Sequence, residues 1–541
     1  MKRKASRLFS SLLALCLVLA LLPSAAYATW GFFFPVYGNL DLSYLYENAH
    51  GGLTRVHNIA TPSGTFAVED YDSSFRLLSK QTFPRELDKW GGFFYGETWN
   101  FVVFGQENPE EDNSKEVIRV VKYSKDWQRL GQASLYGANT QKPFYFGSLR
   151  FAEHDGELYI RTCHAMYTSS DGLNHQANMT IAVRESDMKV TDSFYEVGNS
   201  NWGYVSHSFD QYVIVDQQRR IVTLDHGDAY PRAAVLMVYD TKAGQGKFSG
   251  SVSSAIIQSF PGAIGDNETG AVLGGLAETA GGYVVGYSYD GAGRSTDREY
   301  SSVYFAYVDK DSLRVETKKL ADAPASQPYL APTGLNGGYI LWEGEAGSNT
   351  VYYAAYSDGG SVGEVKTAPG GLGWQPILYN GKVVWHVNGY ARSTFYVLDE
   401  NGLTATEVET PDYTSPSADT PAPDGISVTV NGAAVPFTDA APFIDENDRT
   451  MVPLRAVGDA MGLDVNWDGN AREASFTNGR KTIYFPIDSS AARTSDGGTV
   501  QMDTAAVIVN ERTYAPIRYL AEYFGYTVGW DAATKTVSVT G

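Results

Sequence analysis

The chain has 541 residues, with 42 Lys and Arg against 62 Asp and Glu. A formal charge of −20 repels phosphate backbones and anionic lipid, which excludes nucleic acid and membrane surfaces as expected partners. The length predicts two or more domains, large enough to be held by core packing without disulfides.

Residues 1–28 read as a secretory signal peptide. Lys2, Arg3, Lys4 and Arg7 form a positive start, and Leu8 to Leu22 is an apolar run too short to span a bilayer comfortably. Pro23 breaks that run, and Ala26-Tyr27-Ala28 is a small-residue cleavage site; an uncleaved anchor is the alternative. Removing its four basic residues from the 42 leaves 38 against 62 acidic ones, a formal charge of −24. Cys16 leaves with the signal, so Cys163 remains alone and no intrachain disulfide can form. No later stretch is apolar enough to span a membrane, so the expected location is secreted or cell-surface associated.

Residues 30–409 predict a mainly β domain. Short apolar or β-branched runs alternate with Gly, Asn, Asp and Ser turns, and a unit recurs in which a strand runs into an acidic or Ser turn. The strands are Phe66 to Val68, Val117 to Val121, Ile181 to Val183, Val235 to Val238, Tyr304 to Val308, Tyr352 to Tyr356 and Phe395 to Leu398. The turns that follow fall at intervals of 52, 61, 55, 69, 48 and 42 residues. A preceding strand often opens on glycine, as at Gly91-Gly92, Gly281-Gly282, Gly337-Gly338 and Asn380-Gly381. Units of this size, with about four strands each, are the signature of β-propeller blades, and seven marks predict about seven blades. A β-sandwich or β-solenoid would be equally strand-rich but does not predict units of this size.

Residues 410–425 carry four prolines and no apolar run, which predicts an extended linker. Residues 426–541 form the second domain. Ile426 to Val430 alternates as a strand and Asn431-Gly432 turns it. Residues 447–476 and 510–539 align without a gap, and ten of the thirty positions are identical, among them Arg449/Arg512, Pro453/Pro516, Arg455/Arg518, Gly462/Gly525 and Trp467/Trp530. Each copy predicts strand, short helix and strand: Pro453 suits a first helical position, Leu454, Val457 and Met461 make one apolar face, and Gly462 closes the helix. Trp467 and Trp530 are expected in the core of the sheet, and Arg455 and Arg518 in local ion pairs. Two such copies sharing one core make a small α+β domain.

The runs V-T-V-N-G (428–432), P-F-I-D-E-N-D-R-T-M-V-P-L-R-A-V-G-D-A-M-G (442–462) and N-E-R-T-Y-A-P-I-R-Y-L-A-E-Y-F-G-Y (510–526) resemble the copper amine oxidase N-terminal-like, or stalk, domain. The resemblance implies an exported bacterial protein in which this module is joined to a varied partner domain. It does not imply amine oxidation. In that family the catalytic domain carries an Asn-Tyr motif and three copper-ligating histidines; this chain has no Asn-Tyr dipeptide, and residues 426–541 contain no His. No cofactor and no metal are expected.

Chemistry in the propeller would fall to its histidines. His164, His175, His207 and His226, with Asp228 two residues further on, are the candidate catalytic residues, because innermost strands and loops of a propeller converge on one channel. Their spacing matches no helical or finger-type metal motif, and unrelated turn and strand histidines are the competing reading. Thr168 to Gly172 is part of an Asp-box-like turn that occurs once, and the acidic loops at 266–268 and 445–448 lack EF-hand spacing. The expected function is therefore an exported binding or scaffold protein, with the propeller as recognition face and the stalk-like domain as spacer or attachment module. Its partner would be a cell-wall or extracellular polymer, a carbohydrate or a protein. The alternative is an extracellular hydrolase or lyase acting on polymers through the histidine-rich blades.

Overall fold

A computed structural model of the chain describes residues 39–59, 64–196, 208–229, 231–242, 248, 252–266, 269–291, 301–321, 327–344, 348–389, 391–413, 426–435, 437, 442–445, 449–509, 512–531 and 536–541. Residues 1–28, read above as a signal peptide, and most of residues 410–425, read as a linker, lie outside these. The chain divides into two compact units, Met1–Ala418 and Asp419–Gly541.

The first unit is a seven-bladed β-propeller. Seven antiparallel sheets follow one another in the chain, each with its four strands in sequence order. They span Ser43–Pro84, Lys89–Tyr136, Arg150–Phe194, Ser208–Ser259, Ala271–Ala321, Tyr329–Pro369 and Ile377–Glu409. The third sheet gains an extra strand, Thr140–Pro143. The turn marks read from the sequence fall at the end of a blade's third strand or just after it, from Thr65–Tyr71 to Arg392–Asp399, except Asp240, which lies two residues inside Ala233–Lys242. The side chains explain why the marks are polar. Asp72 accepts the backbone N–H groups of Ser74 and Arg76, Asp309 those of Asp311 and Ser312, and Asp399 that of Asn401. A hairpin that must reverse in a few residues leaves N–H groups unpaired, and an acidic side chain two positions earlier satisfies them. Of the glycine-opened strands, three are second strands; Gly91-Gly92 lies in a first strand, Lys89–Tyr95.

Burial shows that the ring is closed. Each interface between neighbouring blades has its own apolar cluster, and the series returns to its start. Phe66, Trp90 and Phe104 lie between blades one and two, Tyr283 and Tyr287 in the cluster between four and five, and Leu53, Tyr71, Val384 and Phe395 between seven and one. A four-stranded blade cannot bury both faces alone, and radial stacking covers them at about 1.5–3 kcal/mol per large apolar side chain. The outermost strands are correspondingly polar, as in Val315–Ala321.

Among the described residues every blade is built from consecutive strands, and none is exchanged across the seam between blades seven and one. Side chains close it. Phe75 stacks on Phe395 at 4.7 Å, and the Tyr379 hydroxyl donates to the Gly51 carbonyl at 2.6 Å. Glu69, fully buried, accepts from Arg55 at 2.9 Å and from the Tyr71 hydroxyl at 2.7 Å, and Tyr413, just past the last blade, also donates to it. Arg55 reaches Asn388 of blade seven at 2.5 Å. Burial alone would raise the Glu69 pKa, yet Arg55, His57 and Tyr413 together hold it well below the carboxylate range.

The second unit is a small α+β domain. The strands Thr450–Pro453 and Arg512–Pro516 of the two repeats pair antiparallel, Val452 opposite Ala515. Each feeds a seven-residue helix, Leu454–Ala460 or Ile517–Tyr523, and then a strand, Asp464–Asp468 or Thr527–Asp531. One core serves both copies, including Leu454, Val457, Phe476, Leu520 and Val539. Two expectations are corrected. Pro453 and Pro516 end their strands with extended backbone (ψ 105° and 122°) and stand before the helices rather than inside them. Trp467 and Trp530 are not core residues: they are 38% and 47% exposed. Both lie on edge strands, and Val465 and Val528, two residues earlier on the same strand faces, are the side chains that pack on the core. Gly462 and Gly525 do close the helices, with φ of 71° and 95°, which favours glycine. Arg518 pairs with Glu522 at 3.7 Å on the exposed helix face.

Candidate functional site in the central channel

The first strand of each blade lines the ring, and these strands all begin at the same end. The connections between blades and the second-to-third-strand turns lie at that end too. Side chains at these strand starts converge. Asp41 precedes the first strand of blade one, Arg150 opens that of blade three, Asp210 and Tyr212 lie in that of blade four, and Tyr329 opens that of blade six. Asp41 Oδ2 and Arg150 Nη1 are 3.0 Å apart. Blades one and three are not neighbours, so this ion pair bridges past blade two on the channel side. The Arg150 guanidinium lies over the Tyr212 ring, 4.9 Å from its centroid. Tyr329 feels the fields of Asp41, Tyr212, Arg150 and Asp210, from three other blades.

Fixed backbone contacts hold the group. Trp90 Nε1 donates to the Asp41 carbonyl at 3.0 Å, the Tyr212 hydroxyl to the Leu273 carbonyl at 3.5 Å, and the Tyr329 hydroxyl to the Gly373 carbonyl at 3.2 Å. With the ion pair, these bonds draw on blades one to six in turn, through Asp41, Trp90, Arg150, Tyr212, Leu273 and Tyr329. Asp41 and Arg150 are surrounded by protein, yet each side chain keeps 17% of its exposure, which places them on a solvent-accessible channel rather than in a dry core. Burial raises the Asp210 carboxyl to about 6, with Arg150 lowering it and Asp41 raising it. Burial likewise raises Asp41, Tyr44 and Tyr329. The arrangement sets two carboxylates, one guanidinium and the phenols of Tyr44, Tyr212 and Tyr329 together where the inner strands begin. Aromatic rings with a few convergent charges make this the candidate site.

The histidines singled out from the sequence stand elsewhere. His164 is buried, hydrogen-bonded through Nδ1 to Thr140 Oγ1 at 2.8 Å, and burial lowers it to about 4. His226 bonds to Thr269 Oγ1 at 2.7 Å between the rings of Phe209 and Phe260; burial, with Arg232, lowers it to about 3. Both are neutral at pH 7. His175 lies near the surface, 2.8 Å from Asp171 in the Thr168–Gly172 turn. His207 lies outside the described residues. Asp228 is buried at the end of the ring where the inner strands begin, and its carbonyl accepts from Arg232 Nη1 at 3.1 Å. Among the described residues, no three His, Cys, Asp or Glu side chains are placed to hold a metal ion. Cys163 is a buried thiol that burial pushes up to about 12. The channel residues escaped sequence reasoning because they share no motif. Their common signal, a charged or tyrosine residue at the start of an inner strand, is visible only once the inner strands are known.

Fold and site together define a propeller with a polar, tyrosine-lined channel, followed by a duplicated α+β module. For that module the comparison with known families is specific: residues 429–539 match the copper amine oxidase N-terminal domain. The matched residues contain no His, so they do not fit the copper site that the family name calls to mind. No curated protein matches the chain. Similar solved structures include a protein from Lactobacillus plantarum, 12% identical over 77% of this chain and 99% of that one (TM-score 0.35). The periplasmic gluconolactonase of Pseudomonas aeruginosa is 11% identical over 76% of this chain and 97% of its own (TM-score 0.31). The apocarotenoid oxygenase of Synechocystis, as its Trp149Ala mutant, is 11% identical over 64% and 87% (TM-score 0.36). The propeller assignment rests on the sheet order and the closed series of interfaces, not on these likenesses.

Proposed function

We propose that this is an exported bacterial binding protein: the propeller recognises a ligand at the channel end where its inner strands begin, and the C-terminal domain serves as spacer or attachment module. The observation that carries the reading is the Asp41–Arg150 pair, which joins non-adjacent blades inside the ring while remaining accessible to solvent. Charges meant only to stabilise a seam need no such access; the Arg161–Asp225 pair between blades three and four is sealed, at 4% and 0% exposure. The match of residues 429–539 and the signal-like start at residues 1–28 support export. The partner is a cell-wall or extracellular polymer, a carbohydrate or a protein.

The test is a pull-down of the full chain on cell-wall fragments and immobilised glycans, wild type beside Arg150→Ala and Asp41→Ala. Capture by the wild type that both substitutions abolish, with the fold intact by circular dichroism, supports the reading. Capture that neither substitution changes overturns the channel as the recognition site.

A further inference from the structure

The charges of the channel cluster do not balance. Arg150 is engaged by Asp41 at 3.0 Å, which leaves Asp210 as a second carboxylate. Asp210 is 4% exposed, and among the described residues no Lys or Arg nitrogen comes within ion-pair distance of it. The backbone of Leu273 donates a hydrogen bond to it. A buried carboxylate without a cation is costly unless something supplies the missing charge. Nearby are the phenols of Tyr212 and Tyr329. Tyr212, two residues beyond Asp210 on the same strand, already holds one cation, the Arg150 guanidinium, over its ring at 4.9 Å. Tyr329 lies within the field of both aspartates. Carboxylates beside tyrosine faces in a confined channel are the chemistry that recognises an ammonium group, by charge-assisted hydrogen bonds and by attraction to the ring faces.

We infer that the channel takes a small organic cation, with its ammonium group seated against Asp210 and the rings of Tyr212 and Tyr329. This rests on the channel being the binding site, as proposed above, and adds the ligand's chemical class. The Asp41–Arg150 pair then acts as the fixed wall of the site: Arg150 repels a second cation, and Asp41 keeps the guanidinium turned away from Asp210. Protons compete for the same carboxylate, so binding weakens as pH falls below about 6, where Asp210 takes up a proton.

The experiment uses the full chain and three probes of one size: n-butylammonium, n-butanol and butyrate. Binding is read by saturation-transfer NMR at pH 7 and pH 5 and at constant ionic strength. The expected result is transfer to butylammonium alone, weakened about tenfold by Asp210→Asn and by moving to pH 5. Asp41→Asn leaves Arg150 unneutralised and weakens it similarly, which keeps the test decisive should Asp210→Asn misfold. Transfer to butylammonium that survives both substitutions is surface attraction to an acidic protein and overturns the inference. Butyrate binding that Arg150→Ala abolishes also overturns it, while upholding the channel as a site. Silence from all three probes, with polymer capture still lost in the Arg150 and Asp41 variants, overturns the cation and leaves the binding reading standing.

Discussion

Replacing Glu185 by Gln should remove a pH dependence of stability that can be worked out from one buried pair. Glu185 follows the third strand of blade three, and Glu153 lies on the first strand of the same blade. Glu185 is 5% exposed and its Oε1 has no hydrogen-bond partner. Glu153 is fixed by the Glu97 N–H, which donates to its Oε2 at 2.6 Å. Lys122 reaches the backbone carbonyl of Glu185, at 2.6 Å. Burial first, and then the neighbouring Glu153, push the Glu185 carboxyl up from 4.5 to about 8. The folded chain therefore keeps a proton that the unfolded chain loses across this window. The folded state binds more protons, so stability falls as pH rises from about 4.5 to about 8. A shift of this size corresponds to about 3–5 kcal/mol over the window, at up to about 1.4 kcal/mol per pH unit. Glu185→Gln cannot ionise and keeps a donor toward Glu153, so the variant should be the more stable at pH 8 and show little difference at pH 5. The assay is calorimetric unfolding of wild type and variant at half-unit steps from pH 5 to 8, with the difference between them cancelling the other titrations. The variant's transition should rise above the wild type's by a few degrees at pH 8. Equal pH slopes, or a variant less stable than wild type at pH 8, would refute the reasoning.

Four further outcomes follow from the same physics. On the acid side, His164 and His226 are held neutral at about 4 and 3, so stability is complete above pH 6.5 and is lost as pH falls toward those values; His226→Phe should blunt the loss, read as urea midpoints at pH 4 and 7. Asp225→Ala should cost about 3–5 kcal/mol in chemical denaturation, because it strands the buried Arg161 guanidinium, which Asp225 now meets at 2.6 and 3.1 Å. Trp467→Ala and Trp530→Ala should each change stability little, whereas Phe476→Ala, in the shared core, should cost about 3–5 kcal/mol; denaturation of the three variants checks the contrast. Cys163 should resist thiol reagents in the native chain and react on unfolding, as read by mass labelling.

The chain's own order determined the propeller. Turn marks such as Asp72, Ser124, Asp309 and Asp399 were legible because an acidic or Ser residue at the end of a third strand solves a local problem, the unpaired N–H groups of a tight hairpin, and a local solution is written in adjacent residues. The duplicated module was legible for the same reason: Pro453, Gly462 and their copies act on the backbone beside them. Where the outcome depended on what lies opposite, only the tertiary structure decided it. Trp467 is apolar enough for a core, but its strand is an edge and the core ends at Val465. The histidines at 164 and 226 are suited to catalysis by type, but burial beside Thr140 and Thr269 leaves them neutral packing groups. Asp41, Arg150, Asp210, Tyr212 and Tyr329 are separated by up to hundreds of positions and share no spacing. What brings them together is closure of the ring, which sets the starts of the inner strands around one axis. Periodicity along the chain fixes which residues begin an inner strand; curvature of the assembled blades fixes which of them face each other.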